Sequence, residues 1–242
     1  MKLAVLYSGQ ARGDFIKNYQ SVKHHFPDAD FYFSTWHNAV QFMPPNVNYN
    51  TYPEPKMHYH PIVDVDDVKS MKLALTKKQC RTNSSLYERT LHHTKQILAH
   101  AYQLQDLDAS YDMVIRVRYD CYLSPKVDLM SYLIKSYEEN IAIGIGTRTT
   151  RHKNLHELKE IPRVHPETTE DIQDWSYYIM DPIIFHPRDL FDIDMVLEYH
   201  RDSKLLPAEN GWYQILGEPH NDSHLCIYGG AQIEKYLETT TL

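Results

Sequence analysis

The sequence has few cysteines and no long apolar run. Its three cysteines, Cys80, Cys121 and Cys226, are widely spaced and form no C-x-x-C pair, so neither a disulfide framework nor a zinc knuckle is indicated. The longest apolar runs, such as "LAVLY" at residues 3–7 and "IAIGIG" at 141–146, are far shorter than the roughly 18 residues that span a bilayer. No signal-peptide pattern opens the sequence, so we expect no membrane span and a cytoplasmic location.

Positive charge is also in deficit. The formal net charge is −7, which argues against a protein whose whole surface binds nucleic acid, because such binding requires many lysine and arginine contacts to phosphate. A local basic groove remains open, and its cations would come from two stretches: Lys69, Lys72, Lys77, Lys78, Arg81 and Arg89, or Arg148, Arg151, Lys153 and Lys159. Since 42% of the 242 residues are hydrophobic, the chain can bury a sizeable core.

Short strands alternate with helical segments in the first half of the sequence. "KLAVLY" at 2–7 and "ADFYFSTW" at 29–36 predict strands around a helix from Asp14 to His25, whereas the proline-containing region 42–61 predicts an extended loop. A helix from Ser84 to Leu107 then leads into the strand "VIRVRYDCYL" at 114–123. The alternation predicts an α/β sandwich with a mainly parallel central sheet and helices on both faces. Ligands of such sheets bind at the carboxyl ends of the strands, so we expect "SGQARG" and Asp120 at one edge.

The strand "VIRVRYDCYL" carries unusual charges. Arg116, Arg118 and Asp120 follow the two-residue period of one strand face. A carboxylate flanked by arginines suits a divalent cation bound to a diphosphate, because the metal takes hard oxygen ligands and the arginines donate to the remaining phosphate oxygens. A buried Arg–Asp ion pair that organises the strand end is the alternative, and the spacing leaves both open.

Several segments together resemble a family of phage and bacterial glycosyltransferase-like proteins, whose members resemble GT-A fold enzymes that use nucleotide sugars. The segments are "LAVLYSGQARG", "DFYFSTW", "SSLYERTLHHTKQIL" and "YDMVIRVRYD", followed in the second half by "DWSYYIMDPIIF" and "PAENGWYQIL". The resemblance implies one Rossmann-like, GT-A-like domain over residues 1–242, with a nucleotide-sugar-binding half at 1–125 and an acceptor-binding half at 126–242.

The resemblance also implies a set of site residues. The nucleotide sugar would lie against Ser8, Gly9, Gln10 and Arg12, with Arg116 and Arg118 near its diphosphate. A divalent cation, Mn²⁺ or Mg²⁺, would bind Asp120, although Arg118 stands where the first aspartate of an Asp-x-Asp motif would be. His224, or alternatively His220, would complete the metal shell.

A carboxylate is needed to deprotonate the acceptor hydroxyl in an inverting enzyme of this type. Glu209 is our first choice, because it lies two residues after Pro207 at the start of a predicted helix. Asp181 is the second choice and Asp174 the third.

The resemblance therefore implies a metal-assisted glycosyltransferase with a nucleotide-sugar donor. The acceptor would be a glycan or, alternatively, hydroxymethylated cytosine in phage DNA. A flipped base would need aromatic stacking walls, and the candidates are Trp175, Tyr177, Tyr178 and Trp212. A nucleotidyltransferase is disfavoured, because "SGQARG" lacks a glycine-rich run with a lysine. A non-catalytic nucleotide-binding or glycan-binding module remains the alternative of another class.

Overall fold

The structure is a computed structural model that describes residues 1–9, 13–43, 47–53, 83–146, 158–160, 179–202, 206, 208–221, 223–229 and 231–233. Its α-helices are α1 (Phe15–His25), α2 (Asn83–Asp106), α3 (Met130–Glu139), α4 (Ile193–Arg201) and α5 (Ala208–Leu216). Its strands are β1 (Leu3–Tyr7), β2 (Asp30–Trp36), β3 (Asn50–Tyr52), β4 (Met113–Val117), β5 (Cys121–Leu123), β6 (Ala142–Gly146), β7 (Lys159–Glu160), β8 (Ile183–Pro187), β9 (His224–Tyr228) and β10 (Ala231–Ile233).

The described strands form one large sheet and one small one. The large sheet has eight strands in the order β3-β2-β1-β4-β8-β6-β9-β7, and β10 pairs with β5 in the small sheet. Because β8 is antiparallel to both of its neighbours and β7 is antiparallel to β9, the other strands all run in one direction. The predicted mainly parallel sheet is confirmed.

Helices cover both faces of this sheet. Ala4 and Leu6 of β1 face a core that includes residues of α2, α4 and α5. Val5 and Tyr7, which alternate with them, face a second core that includes Val22 of α1 and residues of α3. This is the alternation expected of a strand buried on both sides, and it confirms the predicted sandwich.

The local sequence signals locate most elements. The Asp14 carboxylate accepts a hydrogen bond from the Lys17 amide at 3.1 Å and so caps α1. The predicted strand at 114–123 is interrupted, because β4 ends at Val117 and β5 begins only at Cys121. The region predicted to be an extended loop contains β3, a three-residue polar strand that has no apolar period to reveal it. None of the described helices is long and apolar enough to cross a membrane.

Candidate active site

Arg116 is completely buried at the centre of the large sheet. It lies on β4, paired with Leu6 of β1 and Ile184 of β8. Its Nη2 donates to Gln96 Oε1 of α2 at 3.0 Å, its Nη1 donates to the Asp181 carbonyl oxygen, and its guanidinium lies 5.0 Å from the Trp212 ring centroid. A buried cation requires such partners. Arg116 therefore binds the residues on the interior side of the site and does not face solvent.

Arg118 makes the most extensive charged contacts at the site. Its Nε and Nη2 donate to the two carboxylate oxygens of Asp120 at 2.9 and 2.8 Å, and its Nη1 donates to Asp181 Oδ1 at 3.1 Å. The Asp120 and Asp181 side chains are each only 3% exposed, whereas that of Arg118 is 15% exposed. The charges of two arginines and two aspartates cancel, and Arg118 is the most exposed of the four side chains.

The turn between β4 and β5 is fixed by α1 and β2. Asn18 Nδ2 donates to the carbonyl oxygens of Arg118 and Tyr119 at 2.9 and 2.8 Å. The Tyr119 hydroxyl donates to the Ser34 carbonyl oxygen at 2.9 Å. The hydrogen bonds to the Tyr119 and Ser34 carbonyl oxygens are buried and the one to Arg118 is partly buried, so the backbone that carries Arg118 and Asp120 is held on two sides.

Asp181 reaches the site because glycines on β6 let the chain pass close to the sheet. A Cβ added to Gly144 would lie 2.7 Å from the Met180 carbonyl oxygen, and one added to Gly146 would lie 3.1 Å from the Met180 sulfur. Burial alone would raise the pKa of the Asp181 carboxyl, but the charges of Arg118 and Arg116 outweigh burial and lower that pKa. Asp181 is therefore an ionised carboxylate that pairs with two arginines.

Ser8 and Gly9 follow β1 at the same edge of the sheet, because Tyr7 pairs with Val117. Gly9 has a φ of 103°, a left-handed conformation that favours glycine, and an added Cβ there would lie 3.7 Å from Gln96 Cγ. The buried Ser8 hydroxyl has no hydrogen-bond partner among the described residues. Ser8 and Gly9 thus lie at the same edge of the sheet as the arginine–aspartate cluster. Gln10 and Arg12 lie outside the described residues.

Gln96 is the site residue that the sequence analysis missed. It is buried on α2, where its Oε1 accepts a hydrogen bond from Arg116 and its Cγ would lie 3.7 Å from a Cβ added at Gly9. The available signal was a polar residue beside Ile97 and Leu98 on the apolar side of a long helix.

Glu209 lies half-buried in the first turn of α5. Its carbonyl oxygen accepts a hydrogen bond from the Ile179 amide at 3.1 Å, which ties α5 to the segment that carries Asp181. Burial, and then the charge of Asp181, raise the pKa of the Glu209 carboxyl to about 7, although Arg118 partly opposes them. Glu209 therefore joins the site as a carboxyl that titrates near neutral pH. Asp174 lies outside the described residues.

The structure does not bring His224 to Asp120. His224 opens β9 in register with Ala142, at the amino end of β6, and its ring lies 5.3 Å from that of Tyr213. Val117, the last residue of β4, is in register with Ile183 of β8. Ile183 is in turn in register with Ile145, which lies three residues after Ala142 on β6. The alternative ligand, His220, contacts the Leu190 carbonyl oxygen at 2.9 Å.

The surroundings of Asp120 are poorly suited to the expected divalent cation. Both oxygens of Asp120 accept hydrogen bonds from Arg118, so a metal ion bound there would share them with a guanidinium and lie close to its positive charge. Among the described residues, no group of three histidine, cysteine, aspartate or glutamate side chains is placed to hold a metal ion.

Trp212 is not a stacking wall for a flipped base. Its side chain is buried beneath Arg116 and also contacts His100, with the two ring centroids 5.5 Å apart. Trp175, Tyr177 and Tyr178 lie outside the described residues, as do the cations proposed for a basic groove, except Arg89 and Lys159, whose backbone alone is described.

An open cavity of about 550 Å³ lies at the opposite edge of the sheet. It is lined by Lys2, Leu3 and Asp112 at the amino ends of β1 and β4, together with residues that include Phe26, Asp30 and Leu133. Because β1 and β4 are parallel, this cavity is separated from the cluster at their carboxyl ends by the length of the strands.

No protein-family model matches the sequence, and no curated protein matches it. Solved structures with a similar fold include 4-diphosphocytidyl-2C-methyl-D-erythritol synthase from Anaerococcus prevotii, with a TM-score of 0.49 and 11% identity over 94% of this chain and 87% of that chain. Galactosyltransferase LgtC, in complex with donor and acceptor sugar analogs, has a TM-score of 0.39 and 10% identity over 87% of this chain and 69% of that chain. S. aureus TarS 1–349, in complex with UDP-GlcNAc, has a TM-score of 0.39 and 10% identity over 100% of this chain and 62% of that chain. Similarity at this level assigns no function, so the proposal below rests on the site itself.

Proposed function

We propose that this chain is a glycosyltransferase that moves a sugar from a nucleotide-sugar donor to an acceptor hydroxyl. The observation that carries the proposal is the meeting, at the carboxyl edge of a mainly parallel sheet, of the Gly9 turn, Arg118 and Glu209, whose backbone is hydrogen-bonded to the segment that carries Asp181. Ligands of open α/β sheets bind at this edge. A guanidinium suits phosphate oxygens, and a carboxyl that titrates near pH 7 suits proton transfer.

In the proposed reaction the acceptor oxygen attacks the anomeric carbon of the donor sugar. Glu209 takes the proton of that hydroxyl, and the bond between the anomeric carbon and the diphosphate oxygen breaks to release a nucleoside diphosphate. Asp181 is a poorer base, because Arg118 and Arg116 hold it ionised in the core. Asp174 remains a third candidate base.

The finer assignments stay predictions. We keep a glycan and a hydroxymethylated DNA base as the two acceptor classes, and we keep the family resemblance, the donor and acceptor halves and the cytoplasmic location as expectations from the sequence. The expected Mn²⁺ or Mg²⁺ also stays a prediction, and the Arg118–Asp120 contact argues against it.

Thermal unfolding with UDP-, GDP-, ADP- and CMP-sugars tests the proposal. We expect one nucleotide sugar to raise the midpoint, because a ligand that binds only the folded state stabilises it, and we expect that sugar to be consumed when an acceptor is supplied. Stabilisation without turnover over a broad acceptor panel would favour a non-catalytic binding module. The absence of any stabilisation would contradict a nucleotide-sugar site.

A further inference from the structure

Arg118 occupies the position at which a divalent cation was expected. Its Nε and Nη2 approach the two Asp120 oxygens at 2.9 and 2.8 Å, and its Nη1 bridges to Asp181 at 3.1 Å. A divalent metal ion between two carboxylates would bind the same oxygens and would carry one more positive charge than the guanidinium. The guanidinium is thus both the counterion of the carboxylates and the obstacle to a metal at Asp120.

Arg118 is the most exposed side chain of this cluster. Arg116 has no exposed side-chain surface and the two aspartates have 3% each, whereas Arg118 has 15%. A guanidinium has five N–H donors. The Nη2 group of Arg118 has two of them, of which the contact with Asp120 Oδ2 needs one. Arg118 is therefore the member of the cluster that combines exposed side-chain surface with an N–H donor beyond its contacts with Asp120 and Asp181.

From this geometry, and resting on the proposed function, we infer that Arg118 takes the place of a divalent metal and neutralises the diphosphate of the donor. Asp120 and Asp181 act as positioning residues that fix the plane of the guanidinium. The buried Ser8 hydroxyl and the Gly9 turn lie on the β1 side of the same edge. The donor diphosphate then binds to protein groups alone, and its affinity does not depend on Mn²⁺ or Mg²⁺.

Calorimetric titration of UDP, GDP and ADP in EDTA and in Mn²⁺ tests this inference. We expect one of them to bind in EDTA with an affinity that Mn²⁺ leaves within about twofold. Arg118→Gln should weaken that binding by about tenfold to a hundredfold, the loss expected for a charge-assisted hydrogen bond, and Arg118→Lys should recover part of it. Arg188→Gln is the matched control: Arg188 is similarly exposed, at 19%, but it donates to the Leu104 and Leu107 carbonyl oxygens at the opposite edge of the sheet.

Asp120→Asn keeps the inference testable if Arg118 variants fail to fold. Removing this carboxylate leaves the cluster with one excess positive charge, so diphosphate affinity in EDTA should be equal or higher. If Asp120 holds a metal instead, the same variant loses all metal-dependent binding. Binding that requires Mn²⁺ and disappears in Asp120→Asn would overturn the inference and leave the proposed transferase intact.

Inorganic pyrophosphate separates the two proposals. If it binds in EDTA and is weakened by Arg118→Gln, while no nucleoside diphosphate or nucleotide sugar binds, the anion site survives and the proposed function fails. If neither pyrophosphate nor any nucleotide binds under either condition, both are overturned.

Discussion

At the residue scale, Glu209 differs from the neighbouring Asp181 in its surroundings. Asp181 is held by two arginines, whereas burial raises the pKa of Glu209 to about 7. Glu209→Gln should lower turnover by about 10²-fold to 10⁴-fold and leave donor affinity nearly unchanged, as expected when a general base is removed. In the wild type, kcat/KM should rise with pH through about 7, because the base must lose its proton. Steady-state kinetics at a series of pH values would check both effects, and this rise should be absent in the variant.

Asp181→Asn provides the comparison at the same site. Removing this carboxylate leaves Arg116 short of a buried partner, and breaking such a pair costs about 3 to 5 kcal/mol of unfolding free energy. Urea denaturation at about pH 4.5, where folded Glu209 is protonated, should therefore show a large loss of stability for Asp181→Asn and a small change for Glu209→Gln. Full turnover in Glu209→Gln, with turnover lost in a folded Asp181→Asn, would reverse our choice of base.

At the element scale, β6 controls the position of Asp181. A Cβ at Gly144 would lie too close to the Met180 backbone, so Gly144→Ala should displace residues 179–181 and pull Asp181 away from the arginines. Overpacking of this kind costs about 1 to 3 kcal/mol, and we also expect weaker donor binding. Denaturation and calorimetry would measure the two effects. Ile143→Val is the control, since Ile143 lies on the opposite face and its variant should be only mildly destabilised with donor binding intact. Equal donor affinity in both variants would argue against this role of β6.

The helices and strands also differ in how well the sequence predicts them. The apolar periods and the Asp14 cap locate α1, α2 and the central strands, because those signals are local. The pairing of β5 with β10 joins residues more than a hundred positions apart, and no local pattern encodes it. Arg116, Arg118 and Asp120 were recognised from their spacing, but their partners Asp181 and Gln96 come from elements that meet only in three dimensions. The spacing therefore left the choice between metal site and ion pair open, and the hydrogen bonds between Arg118 and Asp120 are what favours the ion pair.

At the scale of the whole molecule, His186 and Glu209 make stability depend on pH in opposite directions. His186 Nδ1 donates to the Pro187 carbonyl oxygen at 2.7 Å, so its Nε2 accepts from His100 Nε2 at 3.1 Å in the core. Burial lowers the pKa of His186 to about 4 from 6.5. Between pH 6.5 and 4, His186 therefore carries a proton in the unfolded chain but not in the folded one. The free energy of unfolding falls as the pH falls through this range. Glu209 acts in the opposite direction. Because its pKa is raised in the folded chain, the free energy of unfolding falls as the pH rises from 4.5 to about 7.

Two variants should separate these contributions. Both groups act between pH 4.5 and 6.5. In this range His186→Gln should lower the slope of unfolding free energy against pH by about 1.4 kcal/mol per pH unit, so that the variant loses less stability in acid than the wild type. Glu209→Gln should shift the slope by a similar amount in the other direction. Urea denaturation across this range would measure both slopes, and shifts of the same sign would contradict the assigned protonation states.

The central claim is that Glu209 and the Arg118 cluster form the active site of a nucleotide-sugar-dependent transferase. Its most direct test is the release of nucleoside diphosphate from the nucleotide sugar that stabilises the protein, measured side by side for the wild type and Glu209→Gln at matched donor occupancy. We predict release by the wild type in the presence of acceptor, with a rate about 10²-fold to 10⁴-fold lower in the variant. Equal release by both proteins would contradict the role of Glu209, and failure of every nucleotide sugar to bind the wild type would contradict the transferase itself.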